Sequence, residues 1–341
     1  MIFNTKHIRI LVVLLVLLVV FFIVDIRLGS VNIPFSDVFS SFFTSDGSVT
    51  EVIIKNYRLP KAITAILVGI GLSISGLLMQ TLFRNPLAGP YILGVSSGAS
   101  LGVALVILGS SFMPLFIQNM LQSSVSILLA AGFGSFLVLL LIVFISQKLK
   151  NTLIVLIVGV MLGSFTNALV SLLSYFGKAD ELQKYIVWNL GSLAHLSTEN
   201  ILSVAFVVLI GFGFSLQMAK ALDLLLLGEN YAQSLGLPIK KTRLKIIAIT
   251  GLVTGALTAF VGPIAFIGLA VPHIAKMIFK TSNHFILLIS SALLGAIILL
   301  LCDVLSQQLL KNTVIPINVL TSLIAVPVIV YLVFNKQKIQ F

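Results

Sequence analysis

Long apolar runs constrain this chain more than any other feature of its sequence. A helix that crosses a bilayer needs about 20 mostly apolar residues, and helices of this kind satisfy their own backbone hydrogen bonds in lipid. Ten candidate runs lie at 8–24, 62–83, 91–109, 122–145, 153–176, 200–216, 244–261, 264–280, 285–305 and 315–334. We therefore predict an all-α integral membrane protein with about ten transmembrane helices.

The composition and the spacing of the runs support one membrane domain. Charged residues make up 9% of the chain, compared with about 25% in soluble domains. The first run could be a signal peptide, but no small-x-small cleavage pattern precedes Asp25, so we predict a retained span. Residues 1–341 then form a single transmembrane domain. Gly262 and Pro263 alone separate the seventh and eighth runs, so one broken segment is an alternative to two spans.

The distribution of charge predicts the orientation. An even number of spans places both termini on one side of the membrane. If that side is the cytoplasm, the inner segments hold most of the lysines and arginines and the outer segments hold most of the acids, as the positive-inside rule requires. We therefore predict cytoplasmic termini. The net charge of +11 is then explained by topology and membrane lipid, and it needs no nucleic acid partner.

Residues 220–241, KALDLLLLGENYAQSLGLPIKK, are far more polar than the runs on either side. They predict two short cytoplasmic helices within the membrane domain. Gly228 can adopt the left-handed conformation that ends the first helix, and Gly236 can end the second in the same way. Glu229 begins the second helix, where the helix dipole favours an acid.

The second of these short helices has an apolar face. Tyr231, Ala232 and Leu235 follow i, i+1, i+4 spacing, which places them on one side of a helix. Such a face fits a groove on a soluble partner. An ordinary basic cytoplasmic loop is the alternative, although it would not need two capped helices.

Small residues recur at four-residue spacing in several runs. This spacing puts them on one helix face and lets backbones approach closely in lipid. The glycines concerned are Gly94, Gly98, Gly102, Gly159, Gly163, Gly251 and Gly255. Tight helix packing is the simplest interpretation, and the neighbouring serines, Ser96, Ser97 and Ser100, could instead face a polar pathway.

The sequence lacks the motifs of an enzyme. It has no GxxxxGK[ST] phosphate loop and no HExxH motif, and Cys302 is its single cysteine. We expect no catalytic residue, metal site or cofactor. The apolar interiors hold no Asp or Glu, which argues against an ion-coupled secondary transporter. That alternative stays open, because backbone carbonyls can coordinate sodium.

Three stretches together resemble the FecCD-type permeases of bacterial ABC importers. They are LMQTLFRNPLAGPYILGVSSGASLG at 78–102, LLLLGENYAQSLGLPIKKTR at 224–243 and GPIAFIGLAVPHIAKMIF at 262–279. The resemblance implies a permease subunit of the bacterial cytoplasmic membrane that moves an iron(III)-siderophore or a related metal chelate inward. Haem and cobalamin permeases of the same family are the alternative.

The resemblance also implies partners and sites. The partners are a second permease subunit, identical or paralogous, two ATP-binding subunits that hydrolyse ATP, and an extracytoplasmic substrate-binding protein. The substrate path is expected between the two permeases, lined largely by the fifth and tenth spans. The expected ATPase-coupling residues are Gly228, Glu229, Tyr231, Ala232, Leu235 and Gly236. Residues of the translocation motifs are Arg84, Asn85, Pro86, Ser96, Ser97, Gly98, Pro272 and His273.

Docking of the binding protein is expected through cations before the second span and near the tenth. The family pattern R-L-P-R reads Arg58-Leu59-Pro60-Lys61 here, and Lys61 lacks the bidentate fork of an arginine. A further family arginine is replaced by Gln307, and Lys311, one helical turn later, could substitute. Anchoring of Arg58 and Lys61 to lipid headgroups is the alternative.

Overall fold

The computed structural model describes residues 4–29, 33–35, 37, 38, 41, 47–112, 114, 123–149, 151–194, 196–310 and 313–334. This part of the chain is α-helical and contains no strand. The helices are α1 (Thr5–Arg27), α2 (Val49–Ile53), α3 (Leu59–Phe83), α4 (Val95–Ile107), α5 (Ser124–Lys148), α6 (Thr152–Phe176), α7 (Ala179–Asn189), α8 (Thr198–Gln217), α9 (Ala219–Leu226), α10 (Glu229–Ser234), α11 (Ile239–Val261), α12 (Ile267–Phe279), α13 (His284–Gln308) and α14 (Ile317–Phe334).

The predicted apolar runs each form a helix. Within the described residues, seven helices are long and apolar enough to cross a membrane, and α2 and α3 count as one of them because a π-helical turn at Ile54–Arg58 joins them. Three shorter apolar helices, α4, α12 and α14, account for the remaining runs. The prediction of an all-α protein with about ten apolar helices is confirmed. The cytoplasmic position of both termini stays a prediction.

The seventh and eighth runs form two separate helices. The helix α11 ends at Val261 and α12 begins at Ile267. Gly262 between them has φ +74, in the region that favours glycine, and a Cβ there would lie 2.6 Å from the carbonyl oxygen of Trp188. The break therefore depends on a glycine that also permits a close backbone approach.

Helix caps follow the polar residues that flank the runs. Asn151 accepts a hydrogen bond from the N–H of Leu153 and begins α6. Asn283 accepts from the N–H groups of Phe285 and Ile286 and begins α13. Caps of this kind satisfy donors that have no partner inside the helix. They place the first residues of α6 and α13 where the apolar runs 153–176 and 285–305 begin.

The centre of the bundle is built from α3 and α13. In the apolar windows of these helices 83% and 72% of the residues are buried, against 28%, 22% and 28% in α5, α6 and α8. Gly69 and Gly295 allow the contact, because a Cβ on either would overlap the backbone of the other. The peripheral helices α5, α6 and α8 expose apolar faces that can contact lipid or a partner chain.

The glycines at four-residue spacing allow close packing between neighbouring helices, as predicted. A Cβ on Gly98 would lie 2.6 Å from the carbonyl oxygen of Gly134, so α4 and α5 meet backbone to backbone. Gly159 in α6 faces the backbone at Ile92 and Leu93 in the same manner, at 2.6 and 3.0 Å. The interpretation of these small residues as packing residues is confirmed.

Candidate coupling and docking sites

Two short helices lie where residues 220–241 predict them. The helices α9 and α10 form what we call the coupling pair, residues 219–234. The last residues of the predicted segment belong instead to α11, which begins at Ile239. Lys240 and Lys241, the end of the predicted segment, therefore lie in the first turn of α11.

A glycine follows each helix of the coupling pair, Gly228 after α9 and Gly236 after α10. At Gly236 the prediction is confirmed: its φ is +86, its N–H donates to Gln233 O at 2.9 Å, and the N–H of Leu237 donates to Ala232 O at 3.0 Å. This is the Schellman arrangement that ends a helix. At Gly228 the predicted left-handed conformation is wrong, because φ is +118 and ψ is 141. This backbone region is open almost only to glycine, so the residue is required for a different reason.

The exposed face of α10 differs from the predicted one at one position. Tyr231 is 56% exposed and Leu235 is 54% exposed, as a partner-binding face requires. Ala232 is fully buried. It packs inward and cannot contribute to a face for a partner in this arrangement. Leu227, in the turn before α10, is 60% exposed and adds a third apolar side chain at the surface.

Arg84 holds the coupling pair to the end of α3. It follows α3 in the left-handed conformation, with φ +46. Its Nε and Nη2 donate to the carbonyl oxygen of Leu225 at 3.0 and 2.8 Å, and Nη2 also lies 3.4 Å from Leu226 O. These carbonyls belong to the last turn of α9, and Leu225 O also accepts from the backbone N–H of Gly228 at 3.2 Å. Arg84, expected in a translocation motif, therefore lies against the coupling pair.

A second contact joins α9 to the first turn of α13. Asp223 Oδ1 accepts from the backbone N–H of His284 at 2.8 Å and lies 2.7 Å from His284 Nδ1. The other ring nitrogen, Nε2, lies 2.8 Å from Thr81 Oγ1 in α3. The imidazole is fully buried. Sequence analysis missed this chain of contacts, because its members are far apart along the chain.

Glu229 makes the third contact of the coupling pair. Thr152 Oγ1, at the first position of α6, donates to Glu229 Oε1. Arg243 of α11 lies 3.3 Å from the same carboxylate through Nη2, and its Nη1 donates to Leu149 O at 2.9 Å. Glu229, which was expected to favour the helix dipole and to be one of the ATPase-coupling residues, therefore joins α10 to α6 and α11.

An open cavity of about 660 Å³ lies beside these contacts. Its lining combines Arg84, the start of α6 at Asn151, and the α10 residues Asn230 and Tyr231. The coupling pair therefore borders a space that a partner or a helix movement could fill.

The remaining motif residues near Arg84 form a tether to α12. Asn85 Oδ1 accepts from the N–H of Leu87 at 2.9 Å and closes a turn. His273 Nε2 lies 2.7 Å from Pro86 O, and Pro272 lies inside α12. His273, expected in a translocation motif, therefore joins α12 to the segment that follows α3.

The serines of the 78–102 motif lie mostly inside the bundle. Ser96 is buried and Ser97 is half-buried, near Gly163 of α6. Gly98 is closed off by the backbone of α5. An exposed polar row is found on α6 instead, where Ser164, Asn167 and Ser171 share one face.

The opposite end of α3 carries the predicted docking cations. Arg58 is 8% exposed, and its Nη1 donates to Ile26 O and Arg27 O at 2.8 and 2.7 Å, at the end of α1. Lys61 Nζ lies 2.8 Å from Asp303 Oδ1 in α13. Both cations therefore already bond within the chain.

Gln307 also bonds to Asp303 at this end of the bundle. Its Nε2 donates to Asp303 Oδ2 at 3.0 Å. Asp303, Arg58 and Lys61 line a recess of about 300 Å³ together with Tyr57, which is 65% exposed. Lys311, the predicted substitute for the missing arginine, lies outside the described residues.

No group of three or more potential metal ligands occurs among the residues that the structure describes. Cys302 is buried in α13.

Comparisons with known proteins identify relatives over nearly the whole chain. The model of the FecCD transport family matches residues 17–335. The hemin transport system permease protein HmuU of Yersinia pestis is 32% identical, with 95% of both chains covered. The vitamin B12 import system permease protein BtuC of Vibrio parahaemolyticus is 32% identical, with 94% of both covered.

A solved structure has the same fold. It is described as an inward-facing conformation of a metal-chelate type ABC transporter, and it superposes with a TM-score of 0.83. The identity is 30%, and the match covers 96% of this chain and 99% of the other.

Proposed function

Because the chain belongs to the FecCD transport family as a permease subunit of an ABC importer, we propose that it moves an iron(III)-siderophore or a related metal chelate into the cytoplasm. It is a multi-pass protein of the cytoplasmic membrane, and a separate subunit hydrolyses ATP. The proposed assembly contains two permeases, two ATPases and an extracytoplasmic binding protein. Haem and cobalamin are the alternative cargoes. The ion-coupled secondary transporter is not kept as an alternative.

The coupling pair is the observation that carries this proposal. It exposes Leu227 and Tyr231, and Leu235 directly after it is also exposed, while its first helix, α9, is bonded to the centre of the bundle through Arg84 and Asp223. An exposed apolar face on a short helix that follows a firmly held one suits a partner that must push on the bundle. We propose that an ATPase subunit docks on this face, with Gly228, Glu229 and Gly236 setting its shape.

The polar row on α6 supports a substrate path between two permeases. Ser164, Asn167 and Ser171 are exposed on a helix that otherwise presents apolar side chains such as Met161 and Phe165. The hydroxyls of Ser164 and Ser171 donate to Val160 O and Asn167 O of the same helix, so the exposed amide of Asn167 is the group that is unfavourable against lipid. Weak polar contacts of this kind suit a cargo that must also leave. We propose that this face of α6 meets a second permease subunit across the path.

The recess beside Arg58 and Lys61 is the proposed docking site for the binding protein. Both cations are engaged inside the chain, so an approaching acidic side chain would share them with Ile26 O, Arg27 O and Asp303. Lys311 remains part of this proposal as the third cation.

Uptake in a deletion strain tests the cargo. Radiolabelled hydroxamate siderophore, haem and cobalamin are supplied to cells that lack the chain and to cells in which it is restored. We expect restoration to return uptake of the iron-siderophore. Restoration of only haem or only cobalamin uptake would replace the siderophore assignment with that cargo.

A further inference from the structure

We infer that the contact of Glu229 with Thr152 and Arg243 is the joint through which the coupling pair moves the adjoining end of α6. The inference rests on the proposed function, because it assumes that α10 is pushed by an ATPase. It adds the route by which that movement reaches the helix proposed to line the path.

The first half of the coupling pair is fixed. Arg84 binds the last carbonyls of α9, and Asp223 binds the first turn of α13. These contacts lead to α3 and α13, the helices with the most buried apolar windows among those long enough to cross a membrane. Close backbone contact between the two helices at Gly69 and Gly295 leaves them little freedom. The helix α9 is therefore part of the rigid centre.

The second half of the coupling pair, α10, is attached to the peripheral helix α6. Glu229 accepts a hydrogen bond from Thr152 at the first position of α6, a helix of which 22% of the apolar window is buried. The cavity of about 660 Å³ lies between the start of α6 and the exposed side of α10. Space on one side and few buried neighbours permit this end of α6 to move when α10 moves.

Gly228 lies between the fixed half and the movable half. Its φ of +118 and ψ of 141 are accessible almost only to glycine. A Cβ there would also lie 3.1 Å from Nη2 of Arg84, the arginine that fixes α9. The residue immediately before the joint is therefore the one with the greatest backbone freedom, as a hinge requires.

Arg243 extends the joint to Leu149, the residue that follows α5. This buried guanidinium lies 3.3 Å from Glu229 Oε1 and donates to Leu149 O at 2.9 Å. Leu149 precedes Thr152 by three positions in the sequence. A displacement of the Glu229 carboxylate would therefore act on both residues together.

Hydrogen–deuterium exchange of the assembled permease–ATPase complex tests the joint. Exchange of the segment 149–157 is measured without nucleotide and with ATP plus vanadate, in the wild type, Thr152→Val and Thr152→Ser. Thr166→Val is the matched control, because Thr166 is also a buried threonine of α6 but bonds only to carbonyls of its own helix, Leu162 O and Gly163 O.

We expect nucleotide to change the exchange rate of segment 149–157 about tenfold in the wild type, in Thr152→Ser and in Thr166→Val. In Thr152→Val the change should be several-fold smaller, because valine keeps the shape and loses the donor to Glu229, while Arg243 still links Glu229 to Leu149. Glu229→Gln, which keeps an acceptor for Thr152 and loses the charge facing Arg243, should give an intermediate change.

The outcomes separate this inference from the proposed function. An undiminished change in Thr152→Val, or no nucleotide effect on the segment in an ATP-hydrolysing wild-type complex, overturns the joint and leaves the permease function standing. A wild-type chain that forms no ATP-hydrolysing complex overturns the proposed function, and the joint with it.

Discussion

Arg84 donates from Nε and Nη2 to the carbonyl oxygen of Leu225, and these two residues lie 141 positions apart. The contact joins the 78–102 motif to the coupling pair. Two of the stretches that carried the family resemblance therefore form one structural unit at the end of α3, where Arg84 adds two side-chain donors to the last turn of α9.

Replacing Arg84 by lysine should weaken the attachment of α9 to the end of α3. Lysine keeps the charge but not the planar fork that reaches Leu225 O with two donors. We expect a loss of about 1 kcal/mol in the attachment of α9, seen as reduced co-purification of the ATPase with the permease. Arg9→Lys, at an exposed position of α1, is the matched control. Equal co-purification of both variants would contradict the anchoring role of Arg84.

An acid at Leu235 should prevent ATPase assembly. The side chain is 54% exposed on α10, so Leu235→Asp leaves the bundle intact but places a charge in the proposed apolar contact. Size-exclusion chromatography of the mixed subunits should show a free permease with an unchanged melting temperature. Leu235→Met keeps the apolar contact and should assemble normally. Assembly of the aspartate variant would remove this face from the docking surface.

The ion pair between Lys61 and Asp303 should contribute more to the stability of the fold than the ion pair between Lys55 and Glu51. Asp303 is 2% exposed, so Lys61→Met leaves a buried carboxylate without its cation, at a cost of about 3–5 kcal/mol. Lys55 is 39% exposed and follows Glu51 at i+4, so Lys55→Met should cost at most about 0.5 kcal/mol. Thermal unfolding in detergent compares the two variants. Similar melting temperatures would show that Lys61 does not hold α3 to α13.

Alanine substitutions at two glycines of α5 should have different effects on the stability of the bundle. A Cβ on Gly134 would overlap the carbonyl oxygen of Gly98, whereas a Cβ on Gly132 meets nothing within 4 Å. Gly134→Ala should therefore destabilise the bundle by about 1–3 kcal/mol. Gly132→Ala should be neutral or slightly stabilising, because alanine favours the helix. The melting temperatures of the two purified variants decide this, and a tolerated Gly134→Ala would contradict the close packing of α4 on α5.

The helices themselves were predictable from local sequence. Run length and hydropathy located them, and Gly236 ended α10 as predicted because its signal lies within a few residues. The order of burial was not predictable, because hydropathy does not separate central from peripheral helices: its mean is 2.2 for α3 and 2.9 for α13 at the centre, and 2.8 for α5 and 2.3 for α6 at the periphery. The sequence does not say which apolar helix faces protein.

The contacts of the site were not predictable for a related reason. Glu229 was assigned a helix-dipole and coupling role without contacts to other helices, whereas its partners Thr152 and Arg243 come from two other helices. Ala232 was assigned to the exposed face by spacing alone, although it packs inward. One signal was available: with both termini in the cytoplasm, the starts of the fifth and seventh runs, beside Thr152 and Arg243, lie on the same side as Glu229, so charge and hydrogen-bond complementarity could have suggested the group.

Transport by the reconstituted complex tests the central claim most directly. The permease is placed in liposomes with its ATPase and binding protein, and entry of a radiolabelled iron(III)-siderophore is measured with ATP, without ATP, and with an ion gradient alone. We predict accumulation that requires ATP hydrolysis and is unaffected when ionophores collapse the gradients. Accumulation driven by an ion gradient with no ATPase present would contradict the account.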